Sequence, residues 1–396
     1  MADTFTTVTH ESLGSRLGKS LRNFVIGLVL FILAFPVLCW NEYRAINRTK
    51  ALNTAQSECT TVDYKTFDNA NEGKMVHISG PLSTLDFLSD DTFGISVSND
   101  LRLTRRVAMY QWEETSHSET VKKTGGSTET KTTYTYKKVW SEKPLDSSSF
   151  AQPEGHENPT EWPVTGNTWQ AESVFLGAFV LSEEQISSAG SSRVLNPRAA
   201  NDDPLPEELD SHYERISGGF YRHVNGEDRG TGTPKLGDLK ITFEEVPVCN
   251  ESFAGRQTSN SITSYQTKYG AVLLQYDGLL GLEEIFAHGH RDNTIMTWLL
   301  RLVGFLMFFF GLLMLIGPLQ VLSDILPFIG NIFGAMTTAV AFLIALALSC
   351  LTIGLAWIAV RPLLGIFVIA IAVAAFWFAY KKRKALPPPK AEPEKA

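Results

Sequence analysis

Glu283-Glu284 and His288-x-His290-Arg291, just upstream of a long apolar stretch, are the nearest thing in the chain to a metal or acid-base cluster. A catalytic zinc site uses two His at helical i, i+4 spacing with a third ligand. His288 and His290 are two apart, a spacing that suits a strand or turn. A surface or headgroup-facing role therefore outweighs the alternative, a membrane-bound metal-dependent hydrolase or lipid-modifying enzyme built on these His. Paired carboxylates recur at Asp90-Asp91, Glu113-Glu114, Asp202-Asp203 and Glu244-Glu245. Neighbours on a strand face opposite ways, so these read as solvated surface. The chain has no Gly-x-Ser-x-Gly and no Cys-x-x-Cys, and no phosphate-loop Lys follows Gly218-Gly219. The expectation is a non-enzyme with no catalytic residue, no metal ligand and no cofactor.

Of four cysteines, Cys39 and Cys350 fall in apolar runs. Cys59 and Cys249 could bridge only where the polar region faces an oxidising compartment. Tyr110, Trp112, Trp162 and Trp169 are the interaction candidates. Tyr110 and Trp112 lie on a strand face that can equally pack on a core, whereas Trp162 and Trp169 lie in a Pro/Gly-rich loop, where two tryptophans need a surface.

The elements that position these residues follow from hydropathy. From Thr297 to Tyr380 roughly eighty residues are almost unbroken Phe, Leu, Ile, Ala and Val, with breaks at Gly317-Pro318 through Asp324 and at Arg361-Pro362. One span takes about 20 apolar residues, so the stretch holds three. Phe24 to Trp40 forms a retained first span rather than a signal peptide, because no small-x-small cleavage site follows it. Gly330 and Gly334, then Ala341, Ala345 and Ser349, repeat at a spacing that lets helices approach closely. Asp324 and Arg361 are too sparse for an ion pathway. A pairing between them is disfavoured because a full span separates them.

Between the apolar runs the periodicity becomes that of strands. Met75–Ser79 enters the turn Gly80-Pro81; Arg105–Glu114 and Thr130–Trp140 form a β-ribbon around Thr124-Gly125-Gly126-Ser127; Gly237–Phe243 and Ala271–Gln275 add strands. Phe175–Ile186 reads as a strand running into a short helix at Ser182-Glu183-Glu184. Residues 1–22 are a polar tail whose Leu13, Leu17 and Leu21 suit a helix lying on lipid or a solvated segment. The net charge of −7 lies in the middle of the chain, since the last sixteen residues hold six Lys or Arg against two Glu. Nucleic acid is not an expected partner. Lys381, Lys382, Arg383 and Lys384 directly after the last span mark the cytoplasmic side and meet anionic lipid. Four spans then put both termini on that side and the large domain on the other.

Asn71–Gly80, Met109-Tyr110-Gln111-Trp112, Gly155-His156-Glu157-Asn158-Pro159, Gly237-Asp238-Leu239 and Arg361-Pro362-Leu363 together resemble the LUMA-type family of integral membrane proteins. The resemblance implies a four-span protein of the endoplasmic reticulum and inner nuclear membrane in animals, with its large domain in the lumen. It further implies a self-associating organiser of partners such as lamins and emerin, with relatives in bacterial membranes and no catalytic residues to carry over. The expected fold is thus an α + β membrane protein. Its parts are a tail (1–22), span one (23–40), a β-rich exoplasmic domain (41–296, divisible near 187–207), spans at 297–317, 328–354 and 362–380, and a basic tail (381–396). Its expected partners are membrane lipid, further copies of itself, and membrane or envelope proteins.

Overall fold

In a computed structural model, the alternating segments are strands and the apolar runs are long helices. It describes residues 3–196, 213–216, 218–224, 233–325 and 327–360, with Leu209 and Trp377 as isolated positions. The labelled strands are β1 (Asp3–Glu11), β2 (Met75–Thr84), β3 (Asp100–Lys122), β4 (Thr128–Ser141), β5 (Val174–Leu176), β6 (Tyr213–Ile216), β7 (Gly219–Arg222), β8 (Leu239–Pro247), β9 (Asn250–Thr258) and β10 (Leu274–Asp277). The helices are α1 (Leu13–Glu58), α2 (Glu183–Ser188), α3 (Leu282–Ser323) and α4 (Pro327–Val360).

The chain divides into two compact units. The first holds residues 1–10, 51–121 and 129–290, with both sides of 187–207 in one body. Its eight-stranded sheet runs β1-β4-β3-β8-β7-β6, with Arg193–Leu195 on β8 and Asn167–Gln170 on β3. Period-two patterning sets the β3/β8 register: Met109, Val107 and Leu103 face Leu239, Ile241 and Glu245 across the pair, and Leu101, Leu103, Val107 and Met109 point inward. Leu103, Val107 and Met109 form one core cluster with Phe93, Phe220, Ile241 and Phe243, while Leu101 packs in the neighbouring cluster with Val76 and Phe253. Arg105 shares that inward face because Asp90, itself fully buried, takes its Nη1 at 2.7 and 2.9 Å. A buried charge is tolerable only when so paired.

The second sheet, of seven strands, is built on β5-β2-β9 with β10 beside β9. Val76, Ile78, Leu176, Phe179 and Phe253 fill the core beneath it. α2 opens with a full capping box, Ser182 with Gln185. A third cluster joins Met75, Ala254 and Leu274 to Ala51, Leu52 and Ala55 of α1 and to Ile285 and Phe286 of α3. Burying side chains of this kind contributes roughly 1.5–3 kcal/mol each.

The second unit comprises residues 11–50, 122–128 and 291–396. α1 and α3 pack antiparallel, as the neighbours of four glycines show. A Cβ on Gly27 would lie 2.5 Å from Met314 Cβ, and one on Gly311 would lie 3.0 Å from the Gly27 carbonyl. Gly304 abuts Leu38, and Gly317 abuts Ser20. The core here is Ala34, Leu38, Phe308 and Ala345, with edge-to-face rings of Phe31, Phe35 and Phe308.

Three described helices are long and apolar enough to cross a membrane: Leu13–Glu58, Leu282–Ser323 and, within α4, Gly334–Ile358. The expected fourth span (362–380), Arg361 and the basic cluster Lys381, Lys382, Arg383 and Lys384 lie outside the described residues.

Two expectations need correction. The first concerns the N-terminal tail, which is a strand followed by the start of a helix. Thr, Val and Phe alternate through β1 and suit an edge strand, and β1 pairs with β4. α1 then runs unbroken for 46 residues, about 69 Å. The second correction is that Cys59 and Cys249 are free thiols. They pack in different clusters, Cys59 with α1 and α3 and Cys249 beside Val246.

Candidate functional site

Within the second unit, charged and polar side chains gather where the apolar runs of α1, α3 and α4 begin or end. Glu42 is 2% exposed. Arg301 grips it bidentately, Nε to Oε1 at 2.7 Å and Nη2 to Oε2 at 2.9 Å, and Trp357 Nε1 donates to Oε2 at 2.7 Å. The Arg301 guanidinium also lies 4.8 Å from the Trp298 ring and 5.7 Å from the Trp357 ring. One carboxylate thus ties three helices together.

A polar ladder continues beside it. Asn41 Nδ2 donates to the Thr297 carbonyl at 3.0 Å, Asn293 Nδ2 donates to the Ala45 carbonyl at 2.9 Å, and Arg44 reaches Asn293 and Thr297 at 3.3 and 3.2 Å. Glu42, Arg301, Asn293 and Thr297 border a cavity of about 170 Å³ lined also by Ile46, Thr49 and Trp298. Chemically the site is a clamp: Glu42 has both oxygens engaged by charge-assisted donors.

At the other end of the same helices, Asp324 is 3% exposed and pairs with Arg16 and with Lys122, whose Nζ stands 2.7 Å away. Arg16 also donates to the Gly126 carbonyl, and the Gly125 amide donates to the Ile325 carbonyl at 3.1 Å. Lys122–Thr128 is the tip of the β3/β4 ribbon, where Gly125 and Gly126 take positive φ.

The residues singled out in the sequence fall as follows. His288 and His290 lie on α3, not on a strand or turn. Two residues on a helix are about 200° apart, so these side chains diverge and cannot converge on one ion. His288 stands against Tyr276, while Glu283 and Glu284 are exposed in the first turn of α3. Tyr110 packs on Trp140, and Trp112 on His156 with Lys138 above it. Trp162 and Trp169 are half-buried against the β3/β8 core. Ala341 and Ala345 are fully buried and Ser349 is 4% exposed. Gly334 faces open space among the described residues, and Gly330 is helical with surroundings outside them.

Sequence reading missed Glu42, Arg301 and Trp357. The signal was available: Arg301 is a charge inside a long apolar run, and such a residue has a partner.

The sequence profile of the family described as Transmembrane protein 43 matches residues 109–362. The chain belongs to that family. Transmembrane protein 43 of Rattus norvegicus is 30% identical over 362 residues, covering 88% of this chain and 87% of the relative. The Drosophila melanogaster homolog is 29% identical, covering 89% and 93%, and the Homo sapiens protein is 29% identical, covering 90% and 89%. These relatives are named as transmembrane proteins, and no solved structure matches the chain. With its apolar helices, this family member is an integral membrane protein.

Proposed function

We propose that this transmembrane protein 43 family member is a non-enzymatic membrane scaffold that self-associates and organises membrane partners through its β-rich unit. The observation that carries this reading is the closed Glu42–Arg301–Trp357 clamp, in which the buried Glu42 carboxylate holds three helices together. Trp162 and Trp169 flank the partner-binding surface, and Gly330 and Gly334 serve contacts between copies. Lys381 to Lys384 meet anionic lipid on the cytoplasmic side, in the endoplasmic reticulum or inner nuclear membrane of a eukaryote or the inner membrane of a bacterium.

The test is the mass of the assembly in native lipid nanodiscs after crosslinking in the membrane. A defined oligomer or one recurrent partner is expected, and a monomer without neighbours overturns the reading. Orientation is tested separately by cysteine accessibility in sealed vesicles, with single cysteines at Thr6 and Ser118. A single crossing by α1 labels the two from opposite sides. Labelling from one side means that α1 does not cross.

A further inference from the structure

The strongest unassigned chemistry lies in the β-rich unit, away from the helix clamp. Cys249 sits in the turn joining β8 to β9, Glu251 is the second residue of β9, and Asp277 ends β10. β9 and β10 pair so that Glu251 and Asp277 are directly opposite. Two carboxylates in that position repel unless something positive lies between them. Glu251 has no exposed surface, and its Oε2 has no hydrogen-bond partner among the described residues. A buried carboxylate oxygen left so is costly and signals a missing proton or ion. Cys249 Sγ stands 3.9 Å from Glu251 Oε1, and the ligand atoms of all three residues lie within 4.8 Å of one another. The Gly190 amide donates to Asp277 Oδ1 at 3.3 Å, and Asp277 is the exposed member of the set.

We propose that Cys249, Glu251 and Asp277 form a binding site for a divalent cation of the zinc class. One thiolate and two carboxylates are a borderline-soft donor set, which favours zinc over calcium or magnesium. Tetrahedral bonds of about 2.0–2.3 Å would need the three ligands to close by about 1 Å. Asp277, exposed and followed by Gly278, is the ligand able to move. Its exposed side leaves the fourth position to water. On binding, the Cys249 thiol gives its proton to solvent and the sulfur lone pair to the metal, and the proton held between the Glu251 and Asp277 carboxylates leaves to solvent as well, with no change of oxidation state. The inference does not depend on the scaffold reading.

The test uses the full chain, without a His tag, in detergent. Equilibrium dialysis against zinc is expected to leave one equivalent bound, and cadmium is expected to give an ultraviolet thiolate charge-transfer band. Cys249→Ser should abolish the band, Asp277→Asn should weaken zinc affinity by about 10-fold or more, and Cys59→Ser should change neither. Asp277 is exposed, so its variant reads binding without disturbing the core. Substoichiometric zinc, a band that survives Cys249→Ser, or unaltered affinity in Asp277→Asn overturns the site and leaves a proton shared by the two carboxylates.

Discussion

Glu42 accepts three charge-assisted or indole hydrogen bonds while almost wholly buried, so its removal strands Arg301 rather than merely deleting a contact. Glu42→Ala should cost about 3–5 kcal/mol, read as a fall in thermal midpoint in detergent. The double variant with Arg301→Leu should recover part of that loss, because no unpaired charge remains. Asp100 gives a pH signature. It is 5% exposed; burial first and the neighbouring Glu245 second push its carboxyl up to about 6, with Arg193 opposing. A folded-state value above the unfolded one means the folded chain holds the proton longer. This stabilisation is present below about pH 4 and lost as pH rises through about 6. Asp100→Asn should therefore stabilise the β-rich unit by about 1–3 kcal/mol above pH 7 and do little near pH 4. Equal midpoints for wild type and variant at both pH values would refute this.

At the scale of elements, the α1/α3 pair depends on the absence of side chains at Gly27 and Gly311. Gly311→Leu should separate these helices and cost about 1–3 kcal/mol, seen as lost protection of α1 in hydrogen exchange. Ala345→Leu should behave likewise, since Ala345 is fully buried. Gly334→Leu meets open space among the described residues, so a loss of assembly mass with an unchanged thermal midpoint in that variant would locate a contact between copies. The β3/β4 ribbon and the strand at β8 were legible because alternation and the Gly125-Gly126 turn are local signals. The length of α1 was not. Its polar half lacks an apolar run, and only Ala51, Leu52 and Ala55 at i, i+1 and i+4 betray the face that packs on β2 and β10. The His288/His290 spacing does not reveal its element, because an i, i+2 pair occurs on strand and helix alike and the polar first turns of α3 precede its apolar run.

For the molecule as a whole, three apolar helices and a large β-rich unit could be read from hydropathy and period alone, since both depend on composition within short windows. The clamp could not, because Glu42, Arg301 and Trp357 are far apart in sequence and meet only through helix packing. Nor could the Glu251–Asp277 opposition, which rests on a register between strands that no local pattern sets. The N-terminal strand shows the same limit, for its partner lies more than a hundred residues away. It also has a consequence for assembly. β1 closes the edge of an eight-stranded sheet and is joined to α1 through Ser12 alone. When β1 departs, β4 presents a row of unpaired amides and carbonyls, and the β1 of a neighbouring chain is chemically identical to the one that left. Strand exchange between chains would then conserve every hydrogen bond while converting a monomer's edge into a dimer's seam. Its mark would be amide protection of Thr128–Ser141 that rises with protein concentration.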